Sequence, residues 1–299
     1  MSTKDIAEKH LFNHAEIFAD IINVLLFHGK QVVNKDDLKD SKARTQLKID
    51  GGLHEQERDV VKYWEKYGVK IALLGLENQT YVDDDMPLRV LSYDGATYKE
   101  QVNQHCGAKQ AANKEPVYPC ITLVLYFGTT HWNGHKNLLS CFGSLSEDLQ
   151  PFLNDYHINL FELAFLDDET RSLFTSDFRF IVDYLHQARV NKSYKAPEGD
   201  VQYADELIKC LAAFTHNKEF LFTANHCFNT GGPIAMTDLI GNMLDRSNLD
   251  GRISNAVDNV VSLVRTMGIT PNKAVEALNI SNDIRGAVIE KVAERLATK

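Results

Sequence analysis

One run constrains this chain more than any other. VKIALLGLENQ, residues 69–79, is almost wholly apolar and then stops abruptly in Glu-Asn-Gln. A continuous apolar run of this kind reads as a strand buried on both faces. The preceding RDVVKYW, residues 58–64, also reads as a strand, and KYG between them as a tight turn, so the pair forms a hairpin. Packing alone does not explain the polar ending, because a buried or half-buried carboxylate needs a partner, and a metal ion is an economical one. A hard divalent ion takes oxygen ligands, usually one or two carboxylates plus substrate phosphate and water. Glu77 and Gln79 are two apart and share one face of the sheet. A short hairpin turn can bring Asp59 near that face, which makes Asp59, Glu77 and Gln79 the candidate catalytic centre.

The surrounding sequence supplies a mixed α/β framework. AEIFADIINVLLFHGK reads as an amphipathic helix with Ile17, Ile21, Val24 and Leu25 on one face. Glu16, Asp20 and Asn23 fall at i, i+4 and i+7 on another, and Gly29 stands where a C-terminal cap belongs. YVDDDMPLRVLSYDGATYKEQVNQH starts with acids suited to a helix N-terminus and continues with helical spacing. Residues 107–117 read as a loop, and YPCITLVLYFG as a third strand rich in β-branched and aromatic residues. Beyond about residue 140 the chain reads as chiefly helical, with one further strand candidate at HINLFELAFL. Near the end, Gly268 closes one helix, Thr270-Pro271 opens the next, and Ser281 caps the last. Two helices joined by a short turn allow a helix-turn-helix, although a plain packed hairpin is commoner and the final helix carries only Arg285, Lys291 and Arg295 as cations.

Charge qualifies any role with nucleic acid. The net charge is −9, with 17 Lys+Arg against 19 Asp+Glu in residues 1–145 and 15 against 22 in residues 146–299. Acidity therefore sits mainly in the second half. Between Lys30 and Lys48 six basic residues, Lys42 and Arg44 among them, face three acidic ones, and such a strip can track phosphates or simply be a solvated loop. Arg89, one turn before Tyr93, can clamp a phosphate bidentately or pair with Asp83–Asp85 or Glu77. Five scattered cysteines without a CxxC pair point to reduced thiols in the cytoplasm. No apolar run reaches the length of a membrane span, and the first residues lack a signal-peptide core.

Other motifs carry less. His131 and His135 in HWNGH have zinc-like spacing, but Asn133-Gly134 favours a turn over the helix that spacing needs. His226-Cys227 lacks any supporting catalytic group, and no GxSxG, P-loop or GxGxxG pattern occurs. Tyr63, Trp64 and Tyr67 could stack on bases, though packing is the commoner use of such residues.

In this order, RDVVKYW, LLGLENQT, MPLRVLSYD and YPCITLVLYFG followed by HW, with the helix FADIINVLL before them, resemble a known family. It is the Rpn-type recombination-promoting nucleases, also labelled transposases, of the PD-(D/E)XK superfamily. The resemblance covers roughly residues 12–165 and is much less diagnostic beyond about 170. It implies a PD-(D/E)XK restriction-endonuclease-like mixed sheet flanked by helices over residues 1–165, followed by a mainly helical region over 166–299. It also implies Asp59 as the motif's first acid and Glu77 as its second, with Gln79 where the wider superfamily has lysine. An acid on the first helix commonly helps to hold metal there, which nominates Asp20 and then Glu16. The implied activity is hydrolysis of DNA phosphodiester bonds with Mg2+ or Mn2+, linked to recombination or mobile elements. RNA is a less favoured substrate, and a homo-oligomer is compatible with the sequence. The alternative is an inactive PD-(D/E)XK fold serving as a nucleic-acid-binding or protein-interaction module.

Overall fold

The computed structural model describes residues 10–41, 44–49, 52–57, 60–76, 83–106, 117–190, 194–215 and 233–297. Helix α1 (Ala15–Phe27) forms where the apolar spacing predicts it and buries Ile17, Phe18, Ile21, Ile22 and Val24. It ends in two successive left-handed residues, His28 at φ 51° and Gly29 at φ 79°. The Gly29 N–H then closes back on the Asn23 carbonyl at 2.9 Å, which satisfies one of the orphan groups of the last turn.

A five-stranded mixed sheet follows, in the order β1-β4-β5-β6-β7. Its strands are β1 (Leu38–Asp40), β4 (Val60–Trp64), β5 (Val69–Leu76), β6 (Cys120–Tyr126) and β7 (Asn159–Glu162). The expected hairpin is β4–β5, antiparallel with Val60 opposite Leu73 and Trp64 opposite Val69. A short 3-10 turn, Glu65–Tyr67, and left-handed Gly68 join them. β5, β6 and β7 run parallel. β5 reaches β6 through α2 (Met86–Cys106), the kind of long crossover that a parallel pair requires. The strip between Lys30 and Lys48 proves partly structured. Lys39 lies in β1 and pairs with Glu65, while β2 (Arg44–Ile49) and β3 (Gly52–Glu57) form a separate antiparallel hairpin that the hydrophobic pattern did not announce.

Side chains of β6 alternate cleanly between two cores. Leu123 and Leu125 meet Phe12, Phe18 and the helices that follow the sheet, whereas Val124 and Tyr126 meet Met86, Val90 and Tyr93 of α2. The sheet is therefore a middle layer, with α1 and later helices on one side and α2 on the other. Those later helices are α3 (Asp168–Ser172), α4 (Phe178–Val190) and α5 (Ala204–Thr215). A two-stranded ribbon, β8 (Asp200–Val201) with β9 (Ile234–Ala235), leads into the 32-residue α6 (Met236–Met267).

The main core draws residues from Leu11 to Leu239. Phe174, Phe178, Ile181, Leu207 and Leu211 belong to the same core as α1. A second core gathers the far half of α6 with α7 (Pro271–Ala277) and α8 (Asn282–Ala297), including Val260, Val275, Val288 and Val292. There Gly268 adopts the left-handed cap expected of it, at φ 62°. Arg285 pairs with Glu276 and Arg295 with Asp258, so those two cations of the last helix are engaged within the packed unit.

Candidate functional site

The three parallel strands end side by side. In register, Leu76 lies opposite Tyr126, and Tyr126 opposite Glu162. This carboxyl edge is where open α/β sheets receive ligands, because strands stop there and loops diverge. Glu77 is the next residue in sequence after β5. Asp59, Glu77, Gln79 and Lys42 lie outside the described residues, and Arg44 is described only through its backbone at the start of β2.

The register of β4–β5 bears on how the acids can meet. Val60 faces Leu73 and Lys62 faces Ile71, so even residues of β4 share a face with odd residues of β5. Continued without a bulge, that register would put odd-numbered residues before β4 and after β5 on opposite faces. Strand parity alone therefore does not unite Asp59 with Glu77.

Two members of the polar stripe of α1, Glu16 and Asp20, are engaged with the segments that open the helices after the sheet, and the third, Asn23, with the loop that follows α1. Asp20 is 5% exposed, and its carboxylate accepts from Thr175 N–H (3.1 and 3.2 Å), Thr175 Oγ1 (3.0 Å), Ser176 N–H (2.9 Å) and Ser176 Oγ (2.7 Å). These donors stand just before α4, so Asp20 acts as a cap supplied from another helix. Glu16 accepts a hydrogen bond from the Tyr203 hydroxyl. Asn23 accepts from Val32 N–H at 3.0 Å and Val33 N–H at 2.8 Å, and donates to the Val33 carbonyl at 2.9 Å. Each member of the stripe thus has a protein partner. A metal ion at Asp20 would have to displace donors already seated on both oxygens.

Arg89 takes the second of its two expected roles and pairs with Asp83, while its other guanidinium nitrogen lies 3.5 Å from the Tyr93 hydroxyl. Tyr93 is itself buried in the core between α2 and the sheet. Of the aromatic trio, Trp64 is buried, Tyr63 packs against Tyr118, and Tyr67 is exposed and leans on Trp64.

Glu162, which the sequence motifs did not single out, stands at the carboxyl edge beside His131, which they considered only as a zinc ligand. Glu162, the last residue of β7, accepts from the Trp132 N–H at 2.7 Å. The same oxygen lies 3.1 Å from His131 Nδ1, and the other lies 3.7 Å from Lys136 Nζ. Burial by itself would raise this carboxyl, but the Trp132 N–H and the two basic neighbours outweigh it and hold it below the usual glutamate range. Residues 131–135 are irregular and not helical, as Asn133-Gly134 suggested. The HW dipeptide is tied into this edge, for Trp132 packs edge-on against Tyr126 at 5.3 Å. Among the described residues no group of three His, Cys, Asp or Glu side chains is gathered for a metal ion.

The family model described as "Putative transposase, YhgA-like" matches residues 4–218. The chain belongs to this family. The matched segment contains the whole mixed sheet and ends beyond α5, leaving α6–α8 outside it. No curated protein and no solved structure gives a match. Among the described residues no helix is long and apolar enough to cross a membrane.

Proposed function

We propose that the chain is a metal-dependent endonuclease of the PD-(D/E)XK type that hydrolyses DNA phosphodiester bonds, in keeping with a family named for transposition. The observation that carries this is the convergence of β5, β6 and β7 on one carboxyl edge, with Glu77-Asn78-Gln79 next in sequence after the end of β5. Membership of a transposase-labelled family supports DNA as substrate and mobile elements as the setting.

The donor chemistry of Asp59 and Glu77 suits a hard divalent ion, whereas Asp20 is already saturated by Thr175 and Ser176. Asp59 and Glu77 would hold Mg2+ or Mn2+, which when bound supplies Lewis acidity to the phosphate and the attacking water. Gln79 would orient that water through its amide. It brings no positive charge, so it contributes positioning and leaves charge neutralisation to other groups.

The test is nicking of supercoiled plasmid by purified protein with Mg2+ or Mn2+. Glu77→Ala and Asp59→Ala should each lower the rate by at least about a hundredfold, the scale of losing a main electrostatic group. Rates unchanged in both variants would overturn the assignment.

A further inference from the structure

His131 combines two properties that rarely coincide. Its side chain is 72% exposed, yet its ring is fixed on two sides. Glu162 holds Nδ1 at 3.1 Å, and Phe165 stacks on one face with centroids 3.7 Å apart and planes 25° from parallel. With one face on Phe165 and one edge on Glu162, so much exposure leaves the second face open to solvent. Phe165 is supported from its own side by the Arg189 guanidinium, 4.7 Å from the ring centroid, while Arg189 Nε donates to the Ala164 carbonyl at 2.8 Å. Lys136 stands on the other side of Glu162. The result is a rigid aromatic step flanked by two exposed cations, at the carboxyl edge of a sheet.

Exposed aromatic rings between cations are the pattern by which proteins hold unpaired nucleotides: the ring takes a base and the cations take its phosphates. Rigidity adds to this, since a ring already fixed loses little freedom when a base lands on it. We propose that the His131–Phe165 stack is a nucleobase platform of the same edge. It receives one unpaired or flipped base of a DNA strand, with Lys136 and Arg189 contacting the neighbouring phosphates. The proposal deepens the nuclease reading and rests on it for the choice of DNA, but binding can be measured without cleavage.

The experiment is fluorescence anisotropy of a labelled, purine-containing single-stranded DNA of about twelve nucleotides, in EDTA, against the full chain. His131→Ala should weaken binding roughly tenfold, the scale of one lost base stack. His131→Phe should recover most of that loss, because stacking needs an aromatic face and not an imidazole. Lys136→Ala should reduce the slope of log affinity against log salt by about one phosphate contact. His131 is exposed, so neither of its variants threatens the fold. The platform is overturned if His131→Ala binds as wild type, or if His131→Phe binds no better than His131→Ala. Wild type that binds the strand in this pattern yet nicks no plasmid would uphold the platform and refute the nuclease. Glu77-dependent nicking with an indifferent His131 would do the reverse.

Discussion

Replacing Asp20 separates two roles that the sequence leaves open for an acid on the first helix. Here its carboxylate binds two backbone N–H groups and two hydroxyls at the entrance to α4. Hydrogen bonds to a charged group contribute about 1.5–3 kcal/mol each, and a buried donor left without a partner costs about 1–3 kcal/mol. Thr175 is exposed and Ser176 half-buried, so water can recover part of the loss at both. Asp20→Ala should therefore lower stability by about 2–4 kcal/mol, somewhat above an ordinary helix cap. Asp20→Asn keeps one acceptor oxygen but turns a donor toward the other N–H, for a loss of about 1–2 kcal/mol. Urea unfolding at matched slopes measures both. Calorimetric titration of Mg2+ or Mn2+ into Asp20→Asn provides the second arm, and binding as in wild type is expected. A loss of less than about 0.5 kcal/mol in Asp20→Ala, which is the scatter of ordinary surface changes, would refute the capping argument. Loss of metal binding in a stable Asp20→Asn would return Asp20 to the metal site.

Gly128 lies where an added Cβ would overlap the Tyr126 ring, which is buried against Trp132. Gly128→Ala should cost about 1–3 kcal/mol by overpacking, and Tyr126→Leu in the same chain should make the two losses less than additive in thermal or urea unfolding. Glu162 titrates below its ordinary range in the folded chain, held there against burial by the Trp132 N–H, His131 and Lys136. A lowered folded value contributes stability that is present above the unfolded pKa of about 4.3 and is lost as pH falls through the folded value. Wild type should accordingly lose more stability than Glu162→Gln between about pH 6 and pH 3 in urea midpoints; parallel curves would contradict the assignment.

Much of the scaffold is legible in the chain because it depends on local pattern. The apolar run before Glu77, the RDVVKYW strand and the β-branched run at 120–126 specify strands by residue type, and they appear as β5, β4 and β6. Gly268, Thr270-Pro271 and the spacing of α1 mark helix ends through backbone chemistry that is fixed within a few residues. The β2–β3 hairpin was not legible because GLHEQE has a single large apolar residue, so the alternating Thr45, Leu47 and Ile49 of RTQLKI lie opposite Gln56, His54 and Gly52 rather than an apolar partner strand.

What a side chain does with its polarity is a different matter. Glu16, Asp20 and Asn23 make one polar stripe in sequence, and nothing local distinguishes a stripe facing a metal from one facing another helix. The partners of Asp20 and Glu16, namely Thr175, Ser176 and Tyr203, lie more than 150 residues away. Likewise His131 becomes a fixed platform only because β7 sets Glu162 beside it and the following turn sets Phe165 beneath it. The sequence by itself determined strands β4 to β7, several helix ends and the polar stop at Glu77, because backbone propensity and hydrophobic period act over a few residues. Only the tertiary structure decided which carboxylates are spent on capping and which edge of the sheet gathers Glu162 and His131, because those partners meet only once distant elements are packed.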